Sequence, residues 1–91
     1  MAELMVADIK KGSSVETVVA LKKGKRVYNA SKFFYEIRNP EIVNVKTSKE
    51  VEGISRDELL DDIFNLASGS GVIMASTSKD VMLKWFNTNV M

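Results

Sequence analysis

Four cations crowd one glycine in this chain: Lys22, Lys23, Lys25 and Arg26 flank Gly24. An anion such as a pyrophosphate needs groups of this kind, and a guanidinium can grip two of its oxygens at once. A few residues on, Phe33, Phe34 and Tyr35 stand in a row. Strand alternation cannot turn three successive rings toward one core, which leaves an aromatic for stacking on a base or for an oligomer contact. A third group is acidic: Asp57, Glu58, Asp61 and Asp62. Carboxylates can form a metal or acid–base cluster. Acids in the first turn of a helix also favour its dipole and line a solvated face, which is the better account here.

Histidine and cysteine are absent. That removes the commonest general base and metal ligand, the thiolate nucleophile, disulfides and zinc ribbons. The chain therefore reads as a binding protein, not an enzyme, with no cofactor. Thirteen Lys/Arg against twelve Asp/Glu leave a net charge of +1, no footprint for a nucleic-acid polymer. No apolar run approaches membrane-spanning length, and the opening residues lack the cation-first order of a signal peptide. A soluble cytosolic protein is expected. Ninety-one residues make a single domain, 1–91, that buries only about 60–65% of its unfolded surface. With a thin core and no staple, a homodimer or homotetramer is expected.

Short elements must position these groups. Residues 1–11 read as a strand. Ser13 to Glu16 fits a capping box, so residues 13–23 read as a short helix with Val15, Val18, Val19 and Leu21 on its apolar side and Gly24 as its left-handed cap. Lys22 and Lys23 then suit the helix C-terminus, while Lys25 and Arg26 lie beyond the cap as binding candidates. "KRVYN", "KFFYEIR" and "EIVNVKT" read as strands, with Phe33, Tyr35 and Ile37 on one face of the second. A polar link follows. Ser55 to Glu58 then opens a helix carrying Leu59, Leu60, Ile63, Phe64, Leu66 and Ala67, ended by Gly69. "VIMAS" reads as a buried strand, "TSKDVMLKWF" as a short helix and "NTNVM" as a last strand. The class is α+β: a small antiparallel sheet with two or three short helices, oligomeric.

Two separated pieces, "ALKKGKRV" and "ASTSKDVMLKWF", resemble the opening and closing signatures of the Thoeris anti-defence sponge family of small phage domains. The resemblance implies an opening helix before the elbow and a homo-oligomer. It also implies a protein that holds a cyclic ADP-ribose-type immune signal uncleaved, in the cytoplasm of the phage's host. Relatives have been assigned to inhibition of CRISPR nucleases, so a protein-binding inhibitor of a defence nuclease is the alternative. Carried over, Gly24 is the elbow glycine, Val27 a buried strand residue and Phe33 the substitute for a stacking Trp. Ser76 and Asp80 match the closing Ser and Asp, and Trp85 the closing aromatic. In such a site the aromatic stacks the adenine, Arg26 or Lys25 meets the pyrophosphate, and Asp80 with Ser76 binds ribose hydroxyls. Each has a plainer role open to it: Trp85 in the core beside Met82 and Leu83, Asp80 at a helix start, and Ser76 or Thr77 as an N-cap.

Overall fold

The computed structural model describes residues 2–91. The first three strands form an antiparallel meander: β1 (Ala2–Lys11), β2 (Ser14–Lys23) and β3 (Arg26–Asn29). Both connections are two-residue turns opening on a glycine, Gly12 at φ +61° and Gly24 at φ +62°. Glycine in the first turn position matches the right-handed twist of the strands it joins. After the tight turn at residues 30–34 come β4 (Tyr35–Glu36), beside β3, and β5 (Glu41–Glu50), beside β1. The strand order is β4-β3-β2-β1-β5. Two helices follow, α1 (Arg56–Ser70) and α2 (Lys79–Asn89). The molecule is thus α+β with a five-stranded antiparallel sheet and two helices.

One expected helix is a strand. Residues 14–23 form β2, and the reason lies in burial. Val18, Val19, Ala20 and Leu21 are all buried, alternating between the two faces of the sheet. A strand covered on both sides reads as an unbroken apolar run, which helical spacing fits as easily. The β-branched Val15, Thr17, Val18 and Val19 favour the extended form. Gly24 is left-handed as expected, but in a hairpin turn and not as a helix cap. Gly24→Val should lower the melting temperature by about 4–8 °C, because a left-handed L-residue costs roughly 1 kcal/mol or more. A Cβ there meets no atom within 4 Å, so the backbone alone sets the cost. An unchanged melting curve would contradict this turn geometry.

Other expectations shift at their ends. β5 continues to Glu50 through residues expected as a polar link, and α1 runs on to a left-handed cap at Gly71. Residues 72–76 form no strand, and residues 87–89 end α2. Ser55 caps α1 where the sequence places it, accepting from the Glu58 amide, whereas α2 is capped by Ser78, which accepts from the Val81 amide, and not by Ser76 or Thr77.

The helices cover one face of the sheet. Leu4, Val6, Val19, Leu21 and Tyr28 pack there against Leu60, Ile63, Ala67, Met82 and Phe86. The opposite face buries Met5, Ala7, Ile9, Val18, Ala20 and Val27, with Ile37 packed on them. The coiling of the sheet explains this burial. The ladders set Tyr35 level with Asn29, Ala20 and Met5. On a flat sheet it would lie about 25 Å from Lys11, at about 4.8 Å per strand and 3.3 Å per residue. Yet Lys11 Nζ donates to the Tyr35 hydroxyl at 3.2 Å. The two diagonal corners curl toward each other until these long side chains meet, and residues 37–40 line the cleft between them.

Candidate functional site

The turn between β3 and β4 organises one side of the molecule. Asn29, 1% exposed, directs it: its Oδ1 accepts from the Ser31 hydroxyl at 2.7 Å and from the Ser31 and Lys32 amides at 3.1 Å each. This web holds Phe33 and Phe34 at φ +57° and +56°, a left-handed pair that bulky residues adopt only under constraint. The two side chains diverge as a result. Phe34 is fully buried and meets Phe86 edge-on at 5.3 Å. Phe33 stays 45% exposed beside Trp85, itself 37% exposed, with ring centroids 5.4 Å apart and planes tilted by 54°. Asn89 Nδ2 donates to the Phe33 carbonyl at 2.9 Å, tying the pair to α2.

Of the residues singled out from the sequence, Phe33 and Trp85 are therefore neighbours. Ser76 belongs to the adjoining segment, docked on the turn where the Ala75 amide donates to the Ser31 carbonyl at 2.8 Å. Its own hydroxyl accepts from the Ser78 amide at 3.1 Å, a local turn contact. Asp80 is exposed in the first turn of α2. Lys25 and Arg26 lie across the β2–β3 turn, at the end of β3 away from Phe33. The Tyr28 hydroxyl chiefly, and the negative charge of Glu36 after it, raise the pKa of the Arg26 guanidinium above the ordinary arginine value. None of these six residues lines a described cavity. The acids of α1 are partly occupied: Asp61 pairs with Lys79 at 2.7 Å and Asp62 with Lys49 at 2.9 Å. The hydrogen bond to Asp61 raises the pKa of Lys79. Among the described residues no group of three or more metal-ligating side chains is close enough to hold an ion.

A different constellation forms where the sheet corners meet. A cleft of about 260 Å³ lies among Ile9, Val18, Ile37 and Pro40, with Tyr35 and Asn29 at one end and Lys10, Lys11 and Arg38 around it. Asn29 Nδ2 and Lys11 Nζ both donate to the Tyr35 hydroxyl at 3.2 Å, and Lys11 also stands 5.6 Å over the Tyr35 ring. The Tyr35 hydroxyl accounts for the raised pKa of Lys11, with charge from Glu16 a minor addition. Of the two acids in the lining, Glu16 pairs with Lys32 at 3.3 Å, and Glu36 is near enough to Arg26 for its charge to raise the guanidinium pKa. Lys10 and Arg38 have no ion-pair partner among the described residues. An aromatic ring, an apolar floor and two uncommitted cations can hold a planar group bearing negative charge.

Sequence reasoning missed Lys10, Lys11, Asn29, Tyr35 and Arg38 as site residues. A local signal existed: Gly12-Ser13 between two apolar runs reads as a two-residue hairpin turn, which would have placed Lys11 at a strand end. Compared with protein-family models, curated proteins and solved structures, the chain finds no match.

Proposed function

We propose that the protein captures a small anionic nucleotide, of the ADP-ribose-derived cyclic kind implied by the sponge resemblance, and releases it unreacted. The observation that carries this reading is the Tyr35 cleft, where an aromatic ring and apolar floor adjoin the unpaired cations Lys10 and Arg38. In this reading Tyr35 offers the face for the base, and Lys10 and Arg38 meet the phosphates. The cleft volume of about 260 Å³ falls just under the 300–1,000 Å³ usual for ligand pockets. One chain therefore encloses a base and a phosphate and leaves the rest of a larger nucleotide outside.

A thermal-shift panel of cyclic ADP-ribose isomers, ADP-ribose and cyclic dinucleotides tests it. At a hundredfold excess over Kd a ligand of the folded form adds about 2.7 kcal/mol, a shift of roughly 10–20 °C for a domain this small. Tyr35→Ala and Arg38→Ala should each remove most of the shift, since stacking contributes about 1–3 kcal/mol. Chromatography of the heat-released ligand should return it intact. The absence of any shift across the panel would overturn the reading, and a chemically altered ligand would make the protein an enzyme.

A second reading has its own support. The exposed Phe33–Trp85 pair, held out by a left-handed turn, suits the anchor of a protein interface, where aromatic residues carry much of the energy. It would serve an inhibitor that docks on a bacterial defence nuclease. Phe33→Ala and Trp85→Ala would then abolish nuclease inhibition, while Tyr35→Ala would leave it intact.

A further inference from the structure

The most exposed element of the fold is β5. Its inner edge pairs with β1, its outer edge bounds the sheet, and all ten of its residues are exposed. Natural edge strands are commonly short, covered or guarded by charge. This one is long and presents Ile42, Val43 and Val45 to solvent. Its lysines do not stand guard over the edge: Lys46 reaches Asp8 at 3.8 Å and Lys49 reaches Asp62 at 2.9 Å within the same chain.

We propose that β5 pairs antiparallel with β5 of a second copy, about a two-fold axis through Val45, joining two sheets into one. The sequence of the strand selects this register. With Val45 on the axis, Glu41 faces Lys49 at both ends, Ile42 faces Ser48, Val43 faces Thr47 and Asn44 faces Lys46. Opposite charges across a ladder stabilise it, and like charges oppose it. Sliding by half a residue sets Glu41 against Glu50, and sliding by a full residue sets Lys46 against its own copy. Those clashes arise on sliding one way; sliding the other way brings no charged pair together until Glu41 meets Lys46, in a ladder only six residues long against the nine from Glu41 to Lys49.

The faces agree as well. Glu41 and Lys49 lie opposite Lys10 and Leu4 on β1, on the helix side, whereas Ile42, Val45 and Ser48 lie opposite Ile9, Ala7 and Met5 on the other. The Glu41–Lys49 and Ile42–Ser48 pairs would thus each share a side, with Val43 and Lys46 the residues skipped at the irregularities of the β1–β5 register. Irregularities in the β1–β5 register increase local twist. A two-fold copy carries the same twist.

Because the chain has no cysteine, Val45→Cys introduces a lone thiol. Directly opposed residues in an antiparallel pair have Cα atoms about 4.5–5.5 Å apart, within the roughly 4.4–6.8 Å that a disulfide spans. Two such thiols would each lose a proton and together two electrons to the oxidant, here oxidised glutathione added to the protein. Most of the Val45→Cys protein should become a covalent dimer. Ile42→Cys should not, because its copy would lie about 20 Å away along the strands. In the ligand-free cysteine-less protein, light scattering at 50 µM should give twice the chain mass. Glu41→Lys should weaken the dimer at least fivefold, because it sets like charges against each other at both ends of the ladder. Equal cross-linking at both positions, none at Val45→Cys, or a single-chain mass would overturn the proposal. Since no ligand is present, these outcomes leave the nucleotide reading untouched.

Discussion

Phe34→Ala is expected to lower the melting temperature by at least about 15 °C, or to leave the chain unfolded at 37 °C. The side chain is fully buried, in edge contact with Phe86, at the point where the β3–β4 turn meets the helix layer. Truncating a buried phenylalanine costs about 3–5 kcal/mol, a large part of the 5–15 kcal/mol that holds a typical domain together. The neighbouring substitution supplies the control. Phe33→Ala removes an exposed ring whose contact with Trp85 contributes about 0.5–1.5 kcal/mol. Both residues are left-handed, and alanine inherits that backbone penalty at either position, so the difference reports the side chains alone. Thermal unfolding by circular dichroism measures both. Equal losses at the two positions would mean that the turn presents its rings differently.

Asn29→Ala is the second large effect, a loss of about 2–3 kcal/mol or roughly 10–20 °C. The Asn29 side chain accepts three hydrogen bonds and donates one to Tyr35. The amides of Ser31 and Lys32 keep a second acceptor each, the Val19 and Asn29 carbonyls, so neither is orphaned. The Ser31 hydroxyl is 2% exposed and loses its acceptor, and a buried donor left without a partner costs about 1–3 kcal/mol. Net loss of the bond to Tyr35 adds about 0.5–1.5 kcal/mol. The same unfolding measurement decides, and a drop below about 4 °C would show that the turn does not depend on this side chain. Asn29→Ala should also weaken nucleotide capture in protein that stays folded, because Tyr35 loses the donor that fixes its hydroxyl.

How far the sequence reveals this molecule varies by element. Both helices are legible because their apolar positions recur at helical spacing, and Ser55 marks the start of the first, while the cap of the second falls at Ser78, two residues beyond the expected Ser76. The strand at residues 14–23 is not, since Val18 to Leu21 face two different cores and no single-sided pattern survives. The strand expected through Phe33 and Phe34 fails on a backbone preference that neither residue announces. Only Asn29, a residue that readily hydrogen-bonds its own following backbone, hints at the turn. The adjacency of Phe33 and Trp85 depends on that turn and on the Asn89 bond to the Phe33 carbonyl, which no local pattern announces. The Tyr35 cleft could not be read either, because Lys11 and Tyr35 meet only after the whole sheet has coiled.

The order of strands also implies an order of events. β1, β2 and β3 are joined by two-residue turns, so their ladders can close by local diffusion, on the microsecond scale of a hairpin. β5 must instead bring Glu41 back to Lys10, closing a loop of roughly thirty residues before it gains its first bond, which is slower by the entropy of that loop. Until then β1 is itself an open edge. Amide hydrogen exchange should follow the same sequence, with the β1–β2 ladder protected earliest during refolding and β5 last.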